Sequence, residues 1–401
     1  MRSMIINLWL VCFLCSCILA VNAATHYLVP TNTGAINPYT SWGTAGTSVI
    51  DVVNAAMTNS SSPRIIQVSN GVYVLTNTVT ITNNVTLQSV NGRDVTIFDG
   101  NAGLVSFDLN HTYCVLDGLT ITNCYNGGII LKTGTVTNCL ITGCVRNGSG
   151  GGIYFQGTGI VANSIIRGNL TTNANGSGGG IALNDNSDSS IINCIIEKNE
   201  CLNGGSGGGI NLGSIVSSKT MTTIRNCLIR HNVTTNGNYY GGGLYMPITN
   251  AHVVNCTIVS NIAKTAGGGI AFTTAGQTNT VLNCIIQSNE CVNTDYFNDR
   301  NLRQVSGTVN SNAVAYSCST SNNMFMLNGR GNTTNDPGFT SFTGENYRFN
   351  RYSPCFNSGT NQMNWMNSAV DLDGQTRIRH GRVDMGAYEL FIPEGTMFRG
   401  R

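Results

Sequence analysis

Cleaving a polysaccharide takes either two carboxylates flanking a glycosidic bond or a metal-assisted base that removes a sugar proton. The acidic residues are therefore the first place to look. Charged residues make up 10% of the 401-residue chain, and between Gly118 and Glu290 the acids are Asp185, Asp188, Glu197, Glu200 and Glu290. Asp185-Asn186-Ser187-Asp188 could supply a carboxylate or bind calcium; the competing reading is an Asx-turn loop. Glu197 is a third candidate acid, but it shares a repeat position with Arg167 and Arg230, which reads as a solvated column of alternating sign. The densest acidic group is Asp371, Asp373, Asp384 and Glu389. Asp371-Leu372-Asp373-Gly374 begins like a calcium loop but lacks its later glutamate, so Asp371, Asp373 and Asp384 are candidate calcium ligands. The alternative is a structural role in which Arg377 or Arg382 pairs with these acids. Calcium is the one cofactor considered.

Tyrosines make a second constellation. Tyr154, Asn211 and Tyr245 occupy one position of a repeated strand, and Tyr239 and Tyr240 sit in an adjoining loop. Exposed tyrosines beside Asn and Thr form an amphipathic surface suited to sugar rings; the competing reading is ordinary scattered surface aromatics.

Two repeats must position these groups. "NGSGGGIYF" at 147 returns as "NGSGGGIAL" at 175, "GGSGGGINL" at 204, "YYGGGLYM" at 239 and "KTAGGGIAF" at 264. In phase with it run "NCLITGC" from Asn138, "NSIIRGN" from Asn163, "NCIIEKN" from Asn193, "NCLIRHN" from Asn226, "NCTIVSN" from Asn255 and "NCIIQSN" from Asn283. Short Ile-rich stretches bounded by Gly and Asn are strands. Units this short bury nothing alone, so they must stack as a solenoid. Parallel pairing between successive units gives an all-β parallel β-helix, in which equivalent residues lie about 4.8 Å apart.

That geometry predicts columns. Ile141, Ile166, Ile196, Ile229, Ile258 and Ile286 should point inward, with Cys139, Ser164, Cys194, Cys227, Cys256 and Cys284 two residues before them. The intervening position (Leu140, Ile165, Ile195, Leu228, Thr257, Ile285) is also mostly apolar, which leaves the inward assignment open by one residue. The closing Asn169, Asn199, Asn232, Asn261 and Asn289 fit a left-handed turn with an amide ladder. The glycines carry no following basic residue, which argues against a phosphate cradle.

Arg2, the apolar run Met4–Ala20 and Val21-Asn22-Ala23 read as a secretory signal cut after Ala23; Leu14-Cys15-Ser16-Cys17 leaves a lipoprotein alternative. Of 15 cysteines, Cys12, Cys15 and Cys17 belong to that segment. Those in the column are expected as free thiols, because neighbours about 4.8 Å apart are too distant for an unstrained disulfide; Cys201 and Cys291 stay undecided. A formal charge of +2 suggests no nucleic-acid partner, and no later stretch has the length of a membrane span.

The expected organisation is a signal peptide (1–23), an N-terminal cap with the first turns (24–117), the repeat (118–290), the last turns with a C-terminal cap (291–390) and a tail (391–401). Ser48-Val49-Ile50-Asp51 reads as a capping box opening a short helix that plugs the first turn. Phe325, Phe339, Phe342, Tyr347 and Phe349 are expected to anchor the far end.

"NGVYVLTNTVTITNNVTLQSVNGRDVTIFDG", the two repeats, "GNTTNDPGF", "YRFNRYSPCFNSGT" and "DLDGQTRIRHGRVDMGAYE" together resemble the bacterial secreted right-handed parallel β-helix proteins of the choice-of-anchor type. The glycine motif is similar to the repeats of chlamydial polymorphic outer-membrane proteins, and the fold resembles that of pectate lyases. The resemblance implies a right-handed coil and an extracellular or cell-surface setting, with the periplasm as the alternative. Glycosidases of this fold carry three aspartates and Gly-His-Gly, whereas here His380-Gly381 follows Arg379 and lies beyond the repeat. The expected function is binding of polysaccharide or cell-surface glycan by a monomer. A polysaccharide lyase or glycoside hydrolase, and a purely structural surface protein, are the alternatives.

Overall fold

The computed structural model describes residues 23–184, 189–213, 221–237, 239–247, 250–272, 279–304, 313–320 and 329–392. Residues 1–22, on which the expected signal segment falls, and Asp185, Asp188 and Phe325 lie outside them.

The described strands wind into a parallel β-helix with three faces. The glycine motif forms one face, through Ile153–Phe155, Ile181–Leu183, Ile210–Asn211, Leu244–Met246 and Ile270–Phe272. The isoleucine motif forms a nine-stranded face that includes Leu140–Thr142, Ile165–Arg167, Ile195–Glu197, Leu228–Arg230, Thr257–Val259 and Ile285–Gln287. A third face consists of two-residue strands such as Leu170–Thr171 and Val233–Thr234.

Register keeps like on like. Ile141 pairs with Ile166, then Ile196, Ile229, Ile258 and Ile286, and all six are fully buried. Each such side chain contributes about 1.5–3 kcal/mol by leaving water. Ile153/Phe155 and their four counterparts also point inward, as the alternation requires. Cys139, Ser164, Cys194, Cys227, Cys256 and Cys284 are buried beside the isoleucines, and the cysteines are free thiols.

Left-handed residues turn the corners of each coil. The opening asparagines adopt positive φ, from 49° at Asn163 to 55° at Asn226. At the next corner the expectation fails by one residue: the left-handed angle belongs to Lys198, His231, Ser260 and Ser288, just before the closing asparagine. That asparagine is turned inward, where its amide forms the expected ladder. Nδ2 of Asn169 donates to Oδ1 of Asn199 at 3.0 Å, and the chain continues through Asn232, Asn261 and Asn289 to Asn301. Each of the first five amides also donates to an isoleucine carbonyl one coil back, so the buried polar groups are satisfied.

The ladder explains the third glycine of the motif. A Cβ on Gly180 would lie 2.8 Å from Asn199 Nδ2 and 2.8 Å from the Gly209 carbonyl oxygen, so any side chain would collide with both.

Helix α1 (Val49–Thr58) plugs the first coil; Ser48 Oγ accepts from the Asp51 amide at 3.3 Å, and Val49, Val52, Val53, Ala55 and Ala56 face the core. The other end of the chain behaves differently from a simple plug. Residues 339–391 run back along the outside of the isoleucine face, where Tyr347, Ala387 and Tyr388 cover Leu228 and Val259, and Phe349, Cys355 and Met385 cover Ile285. Asn226, Asn255 and Asn283 donate their amides to the carbonyls of Val370, Asp384 and Thr360. This cover settles why the intervening position is apolar. It points outward, half-buried at Leu140, Ile165 and Ile195 but sealed at Leu228, Thr257 and Ile285.

Candidate functional site

Because the glycine-face strands are in register, their outward side chains make one row along the shaft: Asp108, Ile130, Tyr154, Ala182, Asn211, Tyr245, Ala271 and Arg303. Tyr154 and Tyr245 are half-buried and stand three coils apart, about 14 Å at the usual strand spacing. The Arg146 guanidinium lies 4.5 Å over the Tyr154 ring. Burial lowers the pKa of Arg146, and the charge of Tyr154 acts the other way. At one end of the row Lys132 Nζ meets Asp108 Oδ2 at 2.7 Å. At the other, Arg303 pairs with Asp299 and lies 4.9 Å from the Tyr296 ring.

Asn211 belongs to the row, yet it is 6% exposed. Its amide donates to the Ser206 carbonyl at 3.1 Å and accepts from the Gly213 amide at 2.6 Å, so it fixes the two ends of its own strand. Tyr239 and Tyr240 stand in the loop that enters Leu244–Met246. The Tyr239 hydroxyl donates to the Ala174 carbonyl at 3.3 Å. The Tyr240 amide completes a rung of serines: Ser177 N donates to Ser149 Oγ, Ser206 N to Ser177 Oγ, and Tyr240 N to Ser206 Oγ. These contacts hold the loops edge to edge beside the row.

The acids fall elsewhere. Glu197 lies on the isoleucine face, 1% exposed, between Arg167 at 2.5 Å and Arg230 at 2.6 Å. The expected solvated column is therefore wrong at its centre. Glu345, from the C-terminal segment, adds a second carboxylate to Arg230 at 2.7 Å and covers the column. Burial alone would raise the Glu197 pKa; Arg230 and then Arg167 outweigh it and hold the carboxyl below its ordinary value.

Asp371, Asp373 and Asp384 sit in the C-terminal segment. Asp371 accepts from the amides of Asp373, Gln375 and Glu389, and Asp384 from those of Asn357 and Leu390. Asp373 is held by both arms of Arg348. Glu389 meets Arg377, which is fully buried, at 3.2 Å. Burial pushes Asp384 up to about 6 against its amide donors, and pushes Glu389 up against Arg377. Arg377 thus pairs with an acid as the structural reading supposed, whereas Arg382 bonds the Gly359 carbonyl. Their carboxylate oxygens are directed at backbone amides and arginines; among the described residues no group of three or more His, Cys, Asp or Glu side chains is placed to hold a metal ion.

Asp108, Lys132, Arg146 and Arg303 were not singled out from the sequence. Aligning Phe107/Leu109 and Ile129/Leu131 with Ile153/Phe155 puts Asp108 and Ile130 in the row at once, a signal hidden by the absence of the glycine motif before Phe107. Taken together, the row offers ring faces and flanking charges, groups that engage a hydroxylated ligand.

The right-handed β-helix region family model matches residues 102–286, which gives the coil its hand and its class. Among solved structures, the pectin methylesterase of Aspergillus niger is similar at 14% identity and a TM-score of 0.40, covering 72% of this chain and 93% of that one. A pectin methylesterase aspartate-to-alanine mutant in complex with hexasaccharide IV is similar at 12% identity and a TM-score of 0.38, covering 70% and 92%. Both are likenesses of fold. No curated protein matches the chain. No described helix is long and apolar enough to cross a membrane.

Proposed function

We propose that this exported β-helix binds an extended polysaccharide or cell-surface glycan along its glycine face. The observation that carries the reading is the in-register row from Asp108 to Arg303, with Tyr154 and Tyr245 as its ring-bearing stations. Buried Ala182 and Ala271 keep the floor beside the tyrosines low. A sugar chain laid lengthwise would stack on the rings and hydrogen-bond at the flanking charged groups.

Affinity electrophoresis against neutral and uronate-containing polysaccharides, with and without calcium, tests this directly. Retention by at least one glycan is expected, weakened about tenfold by Tyr154→Ala or Tyr245→Ala, the loss of roughly one stacking contact. Retention unchanged in both variants removes the row from the function. Release of reducing ends or unsaturated products, lost in an Asp185/Asp188 double variant, would replace binding with catalysis.

A further inference from the structure

The cysteines divide into two kinds by what fixes their backbones. Cys194, Cys227, Cys256 and Cys284 precede strands of the isoleucine face in four successive coils whose spacing the ladders hold, and Cys139 lies two coils before Cys194 with Ser164 between them. Cys124 and Cys144 are stacked in the same way, with the Val145 amide bonded to the Cys124 carbonyl. Such neighbours keep a separation of about 4.8 Å, beyond the roughly 3.8 Å that a disulfide's Cβ atoms prefer. Cys318 and Cys355 escape that constraint. Cys318 lies on the last described coil, where its amide bonds the Cys284 carbonyl. Cys355 arrives from the C-terminal segment, its amide on Ser353 Oγ and its carbonyl on the Met385 amide. No ladder sets the distance between them. Both are fully buried in one cluster with Ile285, Phe349 and Met385, where the Cys318 thiol donates to the Asn335 carbonyl at 3.2 Å.

We propose that Cys318 and Cys355 are a cross-linking site, joined as a disulfide in the mature protein to staple the C-terminal segment to the last coil. The oxidant is a small-molecule or protein disulfide. One cysteine thiolate attacks it, forming a mixed disulfide and expelling one thiolate. The second cysteine thiolate then displaces the other, so the protein gives up two protons and two electrons and the oxidant becomes two thiols. The neighbouring Cys318 thiol and burial raise the Cys355 pKa in the folded chain, so the exchange belongs to folding, before the cluster closes. The inference is independent of glycan binding and is tested without any glycan.

The full chain without residues 1–23 is refolded in oxidised and reduced glutathione, denatured, alkylated and digested for mass spectrometry. The expected result is one linked pair of peptides containing Cys318 and Cys355, with the remaining cysteines alkylated. The oxidised protein should unfold about 5 °C or more above the same protein in excess dithiothreitol. That difference should vanish in Cys355→Ser. Recovery of both cysteines alkylated from folded protein overturns the assignment, as does a link from either to any other cysteine. The peptide mapping uses the unsubstituted chain, so it decides the matter even where the serine variant fails to fold.

Discussion

Glu197 shows how far a single side chain can depart from its sequence neighbourhood. Its partners Arg167 and Arg230 were readable from the repeat, because one motif position places all three in a column. Its burial was not, because Glu345 comes from a segment outside the repeat, far along the chain. Glu197→Gln leaves Arg230 with Glu345 as its remaining carboxylate and takes the carboxylate from half-exposed Arg167, so it should cost about 1.5–3 kcal/mol in chemical denaturation, the worth of a hydrogen bond to a charged group. The pH dependence has a definite sign. The depressed pKa of Glu197 makes its contribution present above the ordinary 4.5 and lost as acid protonates it in the folded state. Asp384 works oppositely: with its folded pKa raised to about 6 from 3.8, its contribution is full below the lower value and lost as pH rises through the higher. Thermal melts across pH should therefore peak in mild acid, and the acid limb should flatten in Glu197→Gln.

At the scale of the element, the strand faces and their inward columns were legible because alternation and repeat period fix them together. The turns were legible only in part. Asparagine tolerates left-handed angles, and the opening asparagines use that property. The closing ones instead serve as buried ladder rungs, leaving a lysine, a histidine and two serines to take the strained angle. Sequence favours asparagine for either role, so type alone could not separate them. The ladder makes a clear prediction. Asn232→Ala takes the acceptor from both the amide and the side chain of Asn199, two buried donors at once. Each orphaned donor costs about 1–3 kcal/mol, so urea unfolding should register a loss of at least about 2 kcal/mol. An equal change at exposed Asn138 should register far less.

For the whole molecule, the outward apolar column of the isoleucine face carries the main lesson. Read alone, it blurred the inward assignment; with residues 339–391 laid over it, it is a docking strip. A chain ending at residue 338 would expose Leu228, Val259 and Ile285 together. Such contiguous apolar surface promotes association, so light scattering should show a larger mean mass per chain for the truncated protein than for the full chain. A truncated chain that remains monomeric and binds no hydrophobic dye would mean the strip is dispensable. The candidate binding row was legible at its tyrosines and not at its ends, where Asp108 and Arg303 stand on coils that lack the glycine signature.

The asparagine ladder also gives the shaft a sense of direction. From Asn169 to Asn289, each side-chain oxygen that accepts within the ladder belongs to the asparagine one coil higher, so the carboxamides all point the same way along the axis even though each nitrogen also donates one coil back. Strand dipoles largely cancel across a sheet, but five head-to-tail carboxamides do not. The interior is thus electrically polarised along its axis, positive toward the C-terminal coils, in a protein whose formal charge is only +2.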